Sequence, residues 1–166
     1  MARIACSKPL AAFLDLVALS EGTSNSPNTH DDGYDIIVSG VNGPNTFSDY
    51  SIHPFASGRP PIEVRIGPPP LLSTASGRYQ ITLPTWLYIS KREGLGTFSP
   101  QNQDLAALAL LKQCGASALI ASGKFDPAIE AACMTWASFP GSDYGQGGHT
   151  LSWLQTEYET LLSQQA

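Results

Sequence analysis

Residues 7–22 read Ser7-Lys-Pro-Leu-Ala-Ala-Phe-Leu-Asp-Leu-Val-Ala-Leu-Ser-Glu-Gly22. Ser7 suits a helix N-cap, and Pro9 is tolerated in a first turn, where the N–H it lacks would have no helical partner anyway. Leu10, Phe13, Leu14 and Val17 recur at helical spacing and Gly22 is a good C-terminal stop, so the pattern predicts a helix with one apolar face. Four residues beyond Val17 the same stripe reaches Glu21. A carboxylate is thereby placed on the face that a core should cover. Desolvation there disfavours the charged form, and an acid still protonated near neutral pH can donate its proton to a leaving group. The other reading puts Glu21 at a frayed helix end in solvent, and periodicity alone leaves both open.

Beyond Gly22 the composition changes. Residues 22–81 are rich in Gly, Pro, Ser and Asn and carry short β-prone pieces at Tyr34–Val38, Thr46-Phe47 and Ile62–Ile66. Turn signals surround them at Asp32-Gly33, Asn42-Gly43-Pro44 and Pro68–Pro70. These features predict a small irregular β-region with long loops, forming one wall of a cleft. The interleaved Ile and Val of the Pro54–Pro70 segment favour packing over a free linker.

From Thr82 the pattern is helical again. Thr82–Glu93 forms one helix and Ser99-Pro100 opens a second to about Cys114, with Leu105, Leu108 and Leu111 inward and Gly115 at its end. Asp126-Pro127 opens a third to about Ser138, with Ile129, Cys133 and Trp136. Thr150 caps a last helix with a stripe of Leu151, Leu154, Tyr158, Leu161 and Leu162. One helix, a β-insert and then a helical bundle make an α+β protein of two lobes. A length of 166 residues favours a single domain, 1–166, with the β-lobe over about 23–81.

Charge and composition remove several classes. A hydrophobic content of 42% argues against disorder. Nine Lys plus Arg against fourteen Asp plus Glu give a net charge of −5, with no basic cluster to release counterions from nucleic acid or to hold an anionic membrane. The apolar run Leu10–Leu19 is broken by Asp15, is too short to span a bilayer of about 30 Å, and lacks a small-residue cleavage site, so the chain is expected to start in a cytoplasm. Cys6, Cys114 and Cys133 have no CxxC or Cys/His spacing, which predicts buried reduced thiols rather than zinc or a disulfide framework. His30, His53 and His149 are too scattered for a triad or metal site, and Ser20 and Ser76 lack a GxSxG context. No metal and no cofactor is expected.

Two further clusters carry chemistry. Gly77-Arg-Tyr-Gln80 combines a basic, an aromatic and an amide side chain, which suits stacking on a sugar face and hydrogen bonding to hydroxyl and acetamido groups. It also reads as an ordinary turn into the Thr82 helix. Trp136-Ala-Ser-Phe-Pro-Gly141 followed by Tyr144-Gly-Gln146 repeats the aromatic-plus-amide theme, or else is a core Trp followed by a flexible connection.

In order along the chain stand Ser20-Glu21-Gly22, His30 with Gly33–Val38, Phe47-Ser-Asp-Tyr50 with His53-Pro54, Gly77–Gln80, and Trp136–Gly141 with Tyr144-Gly-Gln146. Together, over roughly residues 10–160, they resemble the bacteriophage lambda type of endolysin, a peptidoglycan lytic transglycosylase with a lysozyme-like fold. The resemblance implies a mostly helical lobe, a small β-lobe and an active-site cleft between them. It implies cleavage between N-acetylmuramic acid and N-acetylglucosamine without water, the muramoyl C6 hydroxyl closing a 1,6-anhydro ring. One carboxyl group suffices, and Glu21 matches the family's catalytic glutamate. By similarity Tyr79 and Gln80 line the cleft beside it, faced by Tyr144 and Gln146, while Asp35 and Arg78 orient the sugar or form a structural ion pair. The implied partners are peptidoglycan strands and a phage holin that opens the route from host cytoplasm to periplasm and cell wall at lysis, with the enzyme a monomer. Two features depart from the family: Phe55–Pro61 looks like extra sequence near the cleft, and the net charge of −5 predicts slow, salt-tolerant association with an anionic wall.

Two rivals remain at this stage. A hydrolytic lysozyme of the same fold needs a second carboxylate about 5–5.5 Å or about 6.5–9.5 Å from the first, and Asp35 and Asp49 are the candidates. A non-catalytic glycan-binding virion protein would have no use for a poorly solvated acid at position 21.

Overall fold

The computed structural model describes residues 1–141 and 148–165. Along them run α1 (Lys8–Ser20), β1 (Ile36–Gly40), β2 (Gly43–Thr46), β3 (Ile62–Arg65), β4 (Leu71–Ser73), α2 (Leu83–Glu93), α3 (Pro100–Gln113), α4 (Ala116–Ala121), α5 (Phe125–Ala132) and α6 (Leu151–Gln164). The fold is α+β, with two compact units: Met1–Gly22 with Ala107–Ala166, and Thr23–Ala106. The second unit holds α2 and the N-terminal half of α3 as well as the predicted β-region.

In the first unit α1 is more deeply buried than its sequence suggests. Ala12, Phe13, Leu14, Asp15, Leu16, Val17, Ala18 and Ser20 are all buried, so the expected one-sided stripe is a helix covered on every side. Asp15 survives inside because its carboxylate is paired: Oδ1 accepts from the Ala2 N–H at 2.8 Å and Oδ2 from the Gln165 amide at 3.1 Å. Phe13 meets Phe125, Phe139 and Tyr158 edge-on, with ring centroids 6.3, 5.9 and 6.1 Å away. Ser7 occupies the N-cap position with extended backbone, but its side chain makes no capping bond. Thr150 does cap α6, accepting from the Trp153 N–H, and of the predicted α6 stripe only Leu154 is fully buried.

The third predicted helix is shorter than expected. α5 ends at Ala132, where Thr135 and Trp136 both bond back to the Ala132 carbonyl, and the chain then turns as a loop through Ser138. α4, absent from the sequence reading, begins after Gly115, whose φ of 83° closes α3. The three thiols are free, Cys133 buried and Cys6 and Cys114 half-buried.

In the second unit β1 is the central strand. β2 pairs with it antiparallel through the turn at Val41-Asn42, and on its other side Val38 N–H bonds to Ala75 O while Gly77 N–H bonds to Ile36 O. The β3–β4 hairpin packs against the end of β1: a Cβ at Gly40 would lie 2.3 Å from Ile62 Cγ2, so only glycine permits that approach. Thr82, read from the sequence as the first helical residue, is instead the N-cap of α2, and Gly94, with φ of 69°, ends the helix. α3 keeps its predicted face at Leu111, which is fully buried, but departs from it in its N-terminal half. Leu105 is 40% exposed, whereas Gln103 and Asp104 are sealed completely. The inward side of this half of α3 is polar because both side chains are hydrogen-bonded: Gln103 to the Arg78 N–H and to the Tyr34 and Phe98 carbonyls, and Asp104 Oδ1 to the Tyr34 and Tyr79 hydroxyls.

Candidate active site

Glu21 is the residue that ends α1, with helical φ and ψ of −76° and −5°, and it is partly buried. Its backbone N–H still bonds to Val17 O at 2.9 Å, so the last turn holds the side chain in place rather than fraying. Burial raises the carboxyl above its ordinary value; the Ser138 hydroxyl and backbone N–H, which favour the charged form, offset part of that rise. The Ser138 hydroxyl donates to Glu21 Oε1 at 2.7 Å. Its oxygen also lies 2.9 Å from Ser20 Oγ, which in turn is 3.0 Å from Val17 O. The result is an acid held by the Ser138 hydroxyl, itself in contact with Ser20, with no charged side chain among the influences on it from the described residues.

Ser138 is itself fixed on both sides. Its carbonyl accepts from the His149 N–H at 3.2 Å, and a Cβ on Gly148 would meet that carbonyl oxygen at 2.5 Å. His149 stacks on Trp153 at 3.7 Å between ring centroids, tying the loop to the first turn of α6.

The Gly77–Gln80 segment is a four-residue turn that closes a bridge between Ser76 and Ile81. Arg78 and Tyr79 are 2% and 1% exposed. The Arg78 guanidinium pairs with Asp32 Oδ1 at 2.8 Å and lies 5.2 Å over the Tyr34 ring, and it also bonds to the Asp32 carbonyl. The Tyr79 and Tyr34 hydroxyls both donate to Asp104 Oδ1, at 2.6 and 2.7 Å. Burial and that carboxylate push both phenols up, so they stay neutral donors. Gln80 alone of the four is half-buried; it adopts φ of 48° and its amide bonds back to Gly77 O at 3.0 Å.

Asp35 is also buried. It accepts from the Thr29 hydroxyl at 2.5 Å and the His30 N–H at 2.8 Å, shaping the turn that precedes β1. With His30, Asp31, Thr46, Phe47, Ser48 and Tyr50 it lines an open pocket of about 320 Å³. Aromatic faces beside hydroxyl and carboxylate groups suit a saccharide. Asp49, fully exposed, is held low by the Ser51 hydroxyl and N–H.

Comparison with known proteins identifies the family. The family model described as Endolysin matches residues 11–164. The chain belongs to the endolysin family. It is 46% identical over 153 residues to an endolysin of Escherichia phage P2, covering 91% of each chain. To the endolysin of Escherichia phage lambda it is 42% identical over 139 residues, covering 83% of this chain and 81% of that one. A solved structure described as bacteriophage lambda lysozyme complexed with a chitohexasaccharide matches with a TM-score of 0.83 at 37% identity, over 95% of this chain and 96% of the other. A second lambda lysozyme structure matches with a TM-score of 0.72 at 35% identity. This endolysin is therefore of the lambda type, with a lysozyme-like α+β fold.

Among the sequence-predicted site residues of this endolysin, Asp35, Arg78, Tyr79 and Gln80 fall together in the Thr23–Ala106 unit, and Glu21 in the other. Tyr144 and Gln146 lie outside the described residues. The burial of Arg78 and Tyr79 leaves neither a free cation nor an open ring face, so their motif acts in the interior of its unit. Ser138 stood inside a quoted motif but went unassigned, because a serine in a glycine-rich loop carries no periodicity that points at Glu21. Phe47, Ser48 and Tyr50 were likewise quoted for resemblance and given no role.

Proposed function

We propose that this phage endolysin cleaves the bond between N-acetylmuramic acid and N-acetylglucosamine by lytic transglycosylation, with Glu21 as its acid and base. The Glu21 carboxyl gives its proton to the glycosidic oxygen, and the bond from that oxygen to the muramoyl C1 breaks. Positive charge develops at C1. The muramoyl O6 attacks C1, its proton passes to the Glu21 carboxylate, and a 1,6-anhydro end forms with the acid restored and no water consumed. The observation that carries this reading is the Glu21 carboxyl, raised by burial and bonded to the Ser138 hydroxyl. Such a group is suited to give and retake a proton, not to stand as a permanent counter-charge.

The rival hydrolysis needs a second carboxylate free to act on water or carbon. Asp35 has both oxygens engaged by Thr29 and His30, which favours the one-carboxylate chemistry. Glycan strands are the proposed substrate, in keeping with the chitohexasaccharide held by the lambda lysozyme relative. Within the pocket beside Asp35 we assign Phe47 and Tyr50 to sugar faces. Gln80 is a hydrogen-bonding partner by similarity, as are Tyr144 and Gln146. Asp35 lines the same pocket, while Arg78 and Tyr79, bonded to Asp32 and Asp104, hold the turn that carries Gln80. No helix among the described residues is long and apolar enough to cross a membrane. By family resemblance the enzyme waits in the host cytoplasm as a monomer and reaches the wall through a holin lesion.

Mass spectrometry of fragments released from purified peptidoglycan tests the proposal. Anhydro ends, one water lighter than hydrolysis products and missing with Glu21→Gln, are expected. Reducing ends would replace it with a hydrolytic lysozyme, and no fragments from the wild type would leave a binding protein.

A further inference from the structure

We infer that Ser138 is the positioning residue of the Glu21 carboxyl, holding Oε1 so that the transferable proton rides on Oε2, with Ser20 fixing Ser138 in turn. The inference rests on Glu21 being the acid. A carboxylic acid has one proton and two oxygens, and only a proton on the oxygen facing the scissile bond is useful. Each serine hydroxyl has a single hydrogen. Ser138 spends its hydrogen on Oε1, at 2.7 Å. In the 2.9 Å contact between the two hydroxyls Ser20 is then the donor, sharing its hydrogen between Ser138 Oγ and the Val17 carbonyl. Oε1 is thus kept as an acceptor in both protonation states, and the acid proton is left to Oε2.

The same contacts serve the return step. When Glu21 has given up its proton, the Ser138 hydroxyl and N–H remain donors to the carboxylate, and no group has to turn before O6 returns a proton to Oε2. Ser138 can play this part because its own backbone is locked, by the His149 N–H on its carbonyl and by the close approach of Gly148. Neither Ser20 nor Ser138 needs to touch the sugar. Their effect passes through Glu21 alone.

The test is the pH profile of kcat and of kcat/KM on purified peptidoglycan for the wild type, Ser138→Ala, Ser138→Thr, Ser20→Ala and Glu21→Gln. Misplacing an acid by a fraction of its reach lowers kcat by about 10- to 100-fold. Ser138→Ala is expected to show such a loss with KM unchanged, while its alkaline limb moves to higher pH because a donor to the carboxylate has been removed. Ser138→Thr, which keeps the hydroxyl, restores both readouts, and Ser20→Ala moves the limb in the same direction by less. A merely structural serine would lower the melting temperature and leave the limb in place. An unmoved limb with kcat within twofold in Ser138→Ala overturns the inference, as does Ser138→Thr behaving like Ser138→Ala. Should Ser138→Ala not fold, an unmoved limb in Ser20→Ala overturns it instead. Activity retained by Glu21→Gln would overturn the underlying assignment of the acid, a separate outcome.

Discussion

Glu21 and Ser138 stand 117 positions apart in the chain and 2.7 Å apart at their side-chain oxygens. One closes α1, and the other lies in the loop between α5 and α6. The surroundings of the Glu21 carboxyl therefore depend on a long-range contact that exists only in the folded chain. A group held in this way trades stability for chemistry, since its charged form is disfavoured by the burial that makes it a useful acid.

That trade sets the first prediction. Burial holds the Glu21 carboxyl above its ordinary value, so the folded state keeps a proton that the unfolded state releases. The stability this contributes is fully present below the unfolded value and is lost as pH rises through the folded one. Glu21→Gln cannot ionise. It should melt higher than the wild type at pH 8 and alike at pH 4, while fragment release falls about 10²- to 10⁴-fold. A Gln variant that melts lower at pH 8 contradicts a buried acid.

Tyr79 separates support from contact. Its hydroxyl donates to Asp104 inside the second unit. Tyr79→Phe removes a hydrogen bond to a charged group and should cost about 1.5–3 kcal/mol in urea unfolding. KM for peptidoglycan should stay as it is. A raised KM at unchanged stability would return Tyr79 to the sugar face that its motif suggested.

His53 gives the chain a pH dependence of its own. It is sealed, Nδ1 accepts the Phe55 N–H at 3.3 Å, and Nε2 therefore carries the hydrogen that reaches Ile81 O at 3.0 Å. Burial lowers its pKa, so the unfolded chain binds this proton more readily than the folded one. Stability from His53 is full above about 6.5 and drains as pH falls from there through the folded value. Unfolding free energies between pH 7 and 5 should decline more steeply in the wild type than in His53→Gln. Equal slopes would remove His53 as the cause.

Much of this was legible in the sequence, and the failures have physical reasons. The helices α1, α2 and α6, the Thr150 cap and the Gly94 stop followed from spacing and turn chemistry, which are local. The partly buried position of Glu21 at the end of α1 was legible because it sat in register with Phe13 and Val17. Covering of α1 on every side was not, since Ala12, Asp15 and Ala18 carry no apolar stripe and are buried by what packs on them. Leu105 and Asp104 exchanged places for a like reason: Asp104 is inside because two phenols more than twenty residues away reach it. Arg78 and Tyr79 looked like sugar ligands because Arg and Tyr serve equally in a sugar site and in a hydrogen-bonded polar interior, and sequence does not record which groups are covered.

Gly77 is where that polar interior is least forgiving. Its φ is 75°, and a Cβ there would lie 2.1 Å from Gln103 Oε1. Gln103 cannot step aside cheaply: Oε1 accepts from the Arg78 N–H at 2.9 Å, and Nε2 donates to Tyr34 O and Phe98 O at 3.1 and 3.0 Å. A left-handed backbone alone costs a non-glycine residue about 1–3 kcal/mol. Gly77→Ala should exceed that range, because the clash adds to the strain. In a Gln103→Ala background the clash is gone, and the same change should cost only the strain. A double-mutant cycle by urea unfolding therefore expects a coupling of about 1–3 kcal/mol between the two positions. Costs that simply add would mean that Gln103 yields freely, and that the turn carrying Arg78 and Tyr79 is held by something other than this side chain.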